Sequence, residues 1–181
     1  MAEGDDRRMS VWDAVSSRRV VRRFADRPLD EAHLDRILQA GRRANSSKNQ
    51  QRWAFIVCRD RDHLRQLAEV GPWAGHLAGA AAAVALVTPD PSQASAPLSV
   101  MFDLGMAADE MILAAWELGI GSVPATVYRQ DLARELLGYP GDHHCEFLLS
   151  FGYPADPSEL TRPLKAGGRR PLEDLVHEER W

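Results

Sequence analysis

Ser16-Ser17-Arg18-Arg19-Val20-Val21-Arg22-Arg23-Phe24 places four arginines within nine residues of a chain whose formal net charge is -4. Cations repel at this density unless an anion sits among them, and the planar guanidinium fork matches phosphate oxygens two at a time. Val20, Val21 and Phe24 favour an extended backbone. In an extended chain Arg18 and Arg22 project to one face, and Arg19 and Arg23 to the other. One pair is then free to grip a ligand while the other makes salt bridges. The competing reading is a solvated basic edge.

Outward from this stretch, the chain breaks into short elements. Val11 to Ser17 reads as a helix with Ser10 as N-cap. Asp30 caps a helix from Glu31 to Ala44, with Leu29 packing on Leu34 as a hydrophobic staple. Leu34, Ile37, Leu38 and Gly41 give that helix its buried face. The polar loop Asn45 to Arg52 runs into Trp53 to Cys58, expected as a buried strand. Asp60 caps a helix from Arg61 to Val70, broken by Gly71-Pro72. Ala80 to Val87 is a second core strand, followed by a Pro-, Ser- and Ala-rich loop. Ser99 caps the longest helix, Val100 to Leu118, which Gly119 ends. Gly121 to Tyr128 is a short extended piece, Gln130 to Leu137 a helix, and Glu146 to Phe151 a third core strand. Beyond Pro154 apolar periodicity lapses until Leu172, Leu175 and Val176. Helices and strands alternate too irregularly for a parallel sheet, so the class is α+β. With no linker or internal repeat, residues 1–181 are expected to form a single domain.

Composition limits the function classes. At 181 residues and 45% hydrophobic content, the chain can bury about 70% of its unfolded surface. Its acidic balance argues against nonspecific nucleic-acid binding. Cys58 and Cys145 do not make a disulfide framework. Met1 to Asp13 has no apolar signal core, and the small-apolar run Gly79 to Val87 falls far short of the ~20 residues of a membrane span. A soluble cytoplasmic protein without membrane contact is expected.

Two further stretches carry candidate chemistry. Asn49 and Gln51 lie two apart just before a strand, and their amides offer both donors and acceptors for the edge of a flat heterocycle. The competing reading is a turn with local side-chain bonds. Lys165-Ala166-Gly167-Gly168-Arg169-Arg170-Pro171 combines glycines, which allow close approach, with a second basic cluster. Two basic clusters around an amide-rich loop point to one phosphorylated heterocycle. His143-His144-Cys145 is set aside as a metal site, because neighbours entering a strand point to opposite faces. Gly119-Ile120-Gly121 lacks the rest of a dinucleotide fingerprint and reads as a helix stop.

In this order and at these spacings, the three sites resemble the FMN-dependent nitroreductase family. Arg18-Arg19-Val20-Val21-Arg22-Arg23-Phe24 matches its Arg-Arg-Ser-Val-Arg-x-Phe-like element. Ser46-Ser47-Lys48-Asn49-Gln50-Gln51-Arg52-Trp53 matches Ser-Ser-x-Asn-x-Gln-Pro-Trp, and Arg169-Arg170-Pro171-Leu172 matches a basic residue before Pro-Leu. Val20 stands where the family has serine, and Arg52 where it has proline. The resemblance implies a nitroreductase-like fold, with a mostly antiparallel central sheet flanked by helices, a long central helix and an extended C-terminal arm. It implies FMN as cofactor. Arg18 and Arg169, with Arg170 beside it, would hold the phosphate, and Arg19 would sit near the phosphate or ribityl chain. Arg22 would sit at the N1–C2 edge of the ring and serve catalysis there. Asn49 and Gln51 would bond the ring or ribityl hydroxyls, and Pro124, Ala125 and Thr126 would line the ring near N5.

The function so implied is ping-pong hydride transfer from NAD(P)H through flavin N5 to a nitroaromatic, quinone or similar electron-poor acceptor. Oxidase, dehalogenase or cofactor-metabolism chemistry on the same fold, or non-enzymatic flavin binding, are the alternatives. The long helix adds a homodimer to the expectations. It is apolar on most sides, with Asp103, Glu110 and Glu117 as its main polar stripe, so its second face calls for a partner.

Overall fold

The computed structural model describes residues 9–163 and 168–181. Four strands, β1 (Ala54–Cys58), β2 (Ala82–Pro89), β3 (Gly121–Thr126) and β4 (His143–Gly152), form one antiparallel sheet in the order β1-β2-β4-β3. The two central strands are the apolar runs picked out by sequence, and β2 is buried along nearly its whole length. The strand from Trp53 to Cys58 is instead a sheet edge, starting at Ala54 and buried fully only at Cys58. An apolar run placed on an edge has one neighbour fewer, so hydrophobicity alone overstated its burial.

Helices cover both faces. α2 (Glu31–Arg43) and α4 (Val100–Glu117) cross one face over Val84, Leu86, Leu149 and Phe151. α3 (Arg61–Leu67) and α5 (Gln130–Leu137) cover the other over Ala83, Ala85, Cys145 and Leu148. Alternate residues of β2 and β4 therefore feed separate cores, as the two-residue repeat of a strand requires. Burial pushes the thiols up to about 11 at Cys58 and about 12 at Cys145, which leaves them as packing groups.

α4 takes its register from a row of Leu104, Ala107, Met111 and Ala115 at i+3 and i+4 spacings, all buried. Met111 lies against Gly41 of α2, where any added Cβ would meet its side chain at 2.1 Å. Ser99 does not cap the helix as expected; its hydroxyl donates to Asp103 Oδ2 at 3.2 Å. Asp103 is not part of a solvated stripe either, since it is buried and also accepts the Ser47 N–H at 3.0 Å. Glu117 does face outward, where Arg36 of α2 donates to it at 2.6 Å.

The arginine stretch is fixed by two glycines. α1 (Val11–Ser17) begins at a Ser10–Asp13 capping box. From Val20 the chain runs beside β3, bridging Ser122 in parallel, and then bridges Pro154 from Phe24 in antiparallel fashion. Val21 is fully buried against Gly121, where a Cβ would come within 2.5 Å of its side chain. Phe24 lies against Gly152 in the same way, at 2.8 Å. The strict alternation of the four arginines fails at its start, because Arg18 is the C-cap of α1 and not part of the extended run. Beyond Pro154 the described residues make only short 3-10 turns, and residues 168–181 are exposed throughout.

Candidate active site beside Arg22

α1 and the turn after it bring Arg18 and Arg19 onto α4. Arg18 Nη2 pairs with Asp109 Oδ1 at 3.3 Å. The Arg19 guanidinium lies over the Trp116 ring, 5.9 Å from its centroid. Trp116 is held in turn by its indole N–H, which donates to Ser17 Oγ at 2.9 Å. Both arginines keep a buried Nε with no acceptor among the described residues. A buried guanidinium N–H without a partner carries a desolvation cost that an anion would remove. Phosphate oxygens are acceptors of the right charge and geometry, so the two side chains fit a phosphate ester.

Arg22 is exposed and lines a cavity of about 520 Å³ with Pro72, Trp73, His76, Val123 and Pro124. Pro124 lies on edge strand β3, where a residue without N–H is tolerated. Pro124 also borders a second, apolar cavity of about 260 Å³ between α4 and the sheet, lined by Met101, Gly105, Ala108, Asp109 and Phe147. Asp109, which lines this second cavity, is also the ion-pair partner of Arg18, while Pro124 borders both cavities. Ala125 is buried in the core and Thr126 is half-buried, and neither lines the two cavities.

His76 was not among the expected residues. Its Nδ1 lies 2.7 Å from the Ser150 hydroxyl. Burial first, and then the Arg22 charge, hold its pKa below the ordinary 6.5, which keeps the imidazole neutral at pH 7. Arg22 is then the one permanent charge among the described residues lining the cavity. Trp73 was also missed, because Gly71-Pro72 was read only as a helix stop. Asp103 was missed because a lone acid on a helix looks solvated until the fold buries it.

Asn49 and Gln51 line neither cavity. Gln51 Nε2 donates to Asn49 Oδ1 at 2.9 Å, and Ser46 Oγ accepts the Gln51 N–H at 3.0 Å. Lys48, Asn49 and Gln51 have φ of 53°, 54° and 48°. Left-handed backbone at non-glycine residues costs about 1–3 kcal/mol each and clusters at ligand sites. The loop is tied to α4 through the Ser47–Asp103 bond. No hydrogen bond among the described residues joins it to Arg18 or Arg22. Arg169 and Arg170 lie on the exposed arm, where Arg170 Nη2 reaches only the Asp174 carbonyl at 3.5 Å. Lys165 lies outside the described residues.

Comparison with known proteins gives a consistent picture. The family described as "Nitroreductase family" matches residues 15–84 and 72–153. An Archaeoglobus fulgidus protein described as a candidate NADH dehydrogenase/NAD(P)H nitroreductase is 34% identical over 172 residues, spanning 92% of this chain and 96% of the relative. An FMN reductase [NAD(P)H] of Bacillus subtilis is 27% identical, spanning 94% of this chain and 74% of its own. A solved structure from Parabacteroides distasonis, described as a candidate NADH dehydrogenase/NAD(P)H nitroreductase, superposes with a TM-score of 0.81 at 25% identity, covering 94% and 98% of the two chains.

Proposed function

The chain belongs to the nitroreductase family, and we propose on that premise that it is an FMN-dependent oxidoreductase drawing on NAD(P)H. The observation that carries the reading is the pair of buried, acceptor-less Nε atoms on Arg18 and Arg19, a few residues before Arg22, the one permanent cation among the described residues lining its cavity. FMN held by these residues would supply the hydride-transfer chemistry itself, so no acid or base of the protein is required. Arg18 and Arg19 hold the phosphate. Arg22 offers a fixed cation to the N1–C2 edge, where it stabilises negative charge without reorganising. The backbone around Pro124, Ala125 and Thr126 would line the ring near N5. Asn49, Gln51, Arg169 and Arg170 complete the site once the arm and the amide loop find their docking surfaces. The acceptors are nitroaromatics, quinones or similar electron-poor molecules.

That docking is the work of a second copy. The outward side of α4 shows Phe102, 71% exposed, and the arm shows Leu172, Leu175, Val176 and Trp181. Met111 and Trp116, whose sequence positions suit an interface, are instead buried within the protomer and cannot report on one. Light scattering is expected to give a dimer for the wild type and a lower mass for Phe102→Glu. A wild-type monomer holding one FMN per chain would remove the second copy from the site.

Titration of the purified protein with FMN is expected to show binding at micromolar concentrations, weakened by the double variant Arg18→Ala/Arg19→Ala. Steady NADPH oxidation with a quinone acceptor separates an enzyme from a passive flavin carrier. Absence of FMN binding at micromolar concentrations would end the reading.

A further inference from the structure

Trp73 stands on a loop that is fixed on both sides. Val70 and Ala74, which flank it, are fully buried, while Trp73 is 78% exposed. The Val70 carbonyl accepts N–H bonds from Tyr128 at 2.9 Å and Arg129 at 2.8 Å. Gly71 lies so close to the end of β3 that a Cβ there would sit 2.7 Å from the Thr126 carbonyl oxygen. Pro72 sets the backbone just before the indole. After it, the Ala74 N–H donates to the Gly71 carbonyl at 3.1 Å, and His76 holds Ser150. A large indole is thus presented to solvent by a loop with little freedom to withdraw it.

The indole borders the same cavity as Arg22 and Pro124. Exposing an aromatic ring of this size on a fixed loop gains nothing for the protomer's own core. It costs little conformational entropy when a ring stacks on it, because the platform is already ordered. The remaining strongly exposed aromatics Trp12, Phe102, Tyr128 and Trp181 do not line this cavity.

We propose that Trp73 is a specificity-determining residue, whose indole stacks on a flat, electron-poor acceptor ring while the acceptor's negative end turns to Arg22. The preferred substrates are then aromatic rings carrying a carboxylate, nitro or quinone oxygen. This rests on the flavin oxidoreductase reading and narrows it. Neutral His76 adds no second cation, so the charge preference is set at the Arg22 side of the cavity.

The test uses oxidised, FMN-loaded protein without reductant, titrated calorimetrically with 4-nitrobenzoate and with cyclohexanecarboxylate, which has the same charge but no flat ring. The wild type is expected to prefer 4-nitrobenzoate. Trp73→Ala is expected to lose about tenfold in affinity for 4-nitrobenzoate and nothing for cyclohexanecarboxylate, and Trp73→Phe to stay within about threefold of wild type. FMN affinity and circular dichroism are expected to match the wild type in both variants. Equal losses for the two carboxylates, or no loss for either, would overturn the proposal. A loss of FMN affinity in Trp73→Ala would also overturn it, by assigning the indole to the cofactor. A wild type that takes up no FMN fails the functional reading instead, at a step before either variant is compared.

Discussion

Gly121→Ala tests how the arginine stretch is held. The added Cβ would meet Val21 Cβ at 2.5 Å and both Val21 methyls at 2.7 Å. Val21 is fully buried and β-branched, so it has no alternative rotamer that clears the methyl. The segment must therefore lift from β3. Partial accommodation costs about 1–3 kcal/mol as overpacking. Complete release gives up the burial of Val21, about 1.5–3 kcal/mol, and the Val21 N–H bond to the Ser122 carbonyl, about 1 kcal/mol net. Alanine at a strand position returns about 0.5–1 kcal/mol in backbone entropy. The expected net loss is about 1–3 kcal/mol by urea denaturation. FMN affinity should fall as well, because Arg22 follows Val21 directly. Gly79→Ala, with no atom within 4 Å of the new Cβ, is the control and should be near neutral. Val21→Gly/Gly121→Ala, which removes Val21 Cβ together with both methyls, should recover part of the flavin affinity by removing the clash. A Gly121→Ala variant with wild-type stability and wild-type flavin affinity would refute the claim that this contact places the arginines.

Three other outcomes are expected. Arg22→Ala should lower the flavin midpoint potential and slow reduction by nicotinamide, by up to about 2.7–4 kcal/mol in the barrier if water does not replace the cation; stopped-flow and potentiometry read the two effects. Asp103→Ala removes the acceptor for the Ser47 N–H and the Ser99 hydroxyl, and should cost about 1–3 kcal/mol in denaturation while weakening flavin binding through the freed amide loop. His76 has a folded pKa below 6.5, so the unfolded chain takes up its proton first as pH falls. Stability measured by denaturation should therefore decline as pH drops through about 6.5, with no contribution from this group at higher pH, and His76→Gln should flatten that decline.

Much of the local structure was legible in the sequence. Ser10, Asp30 and Asp60 cap helices as their side chains dictate, since the acceptor and the helix N–H it serves lie two or three residues apart. Gly119 and Gly138 stop helices with positive φ, a conformation glycine adopts without a Cβ penalty. The motif order around Arg18–Phe24 and Asn49–Trp53 pointed to the family, and both strand runs at the centre of the sheet were plain from their apolar length. What chain-local reasoning could not reach was every feature made by two distant segments. Asp103 became a buried tie for the amide loop only because α4 meets residue 47. The edge position of β1 followed from strand order, which periodicity does not encode. Trp73 and His76 reached Arg22 only because the loop after α3 packs on the end of β3. Gly121 read only as part of a helix stop and the start of an extended piece, and Gly152 carried no signal, until Val21 and Phe24 came to rest on them. Capping, helix stops and apolar periods are set by neighbours a few bonds away. Burial, charge environment and cavity walls depend on which surfaces the fold presses together, and those were decided by the tertiary structure.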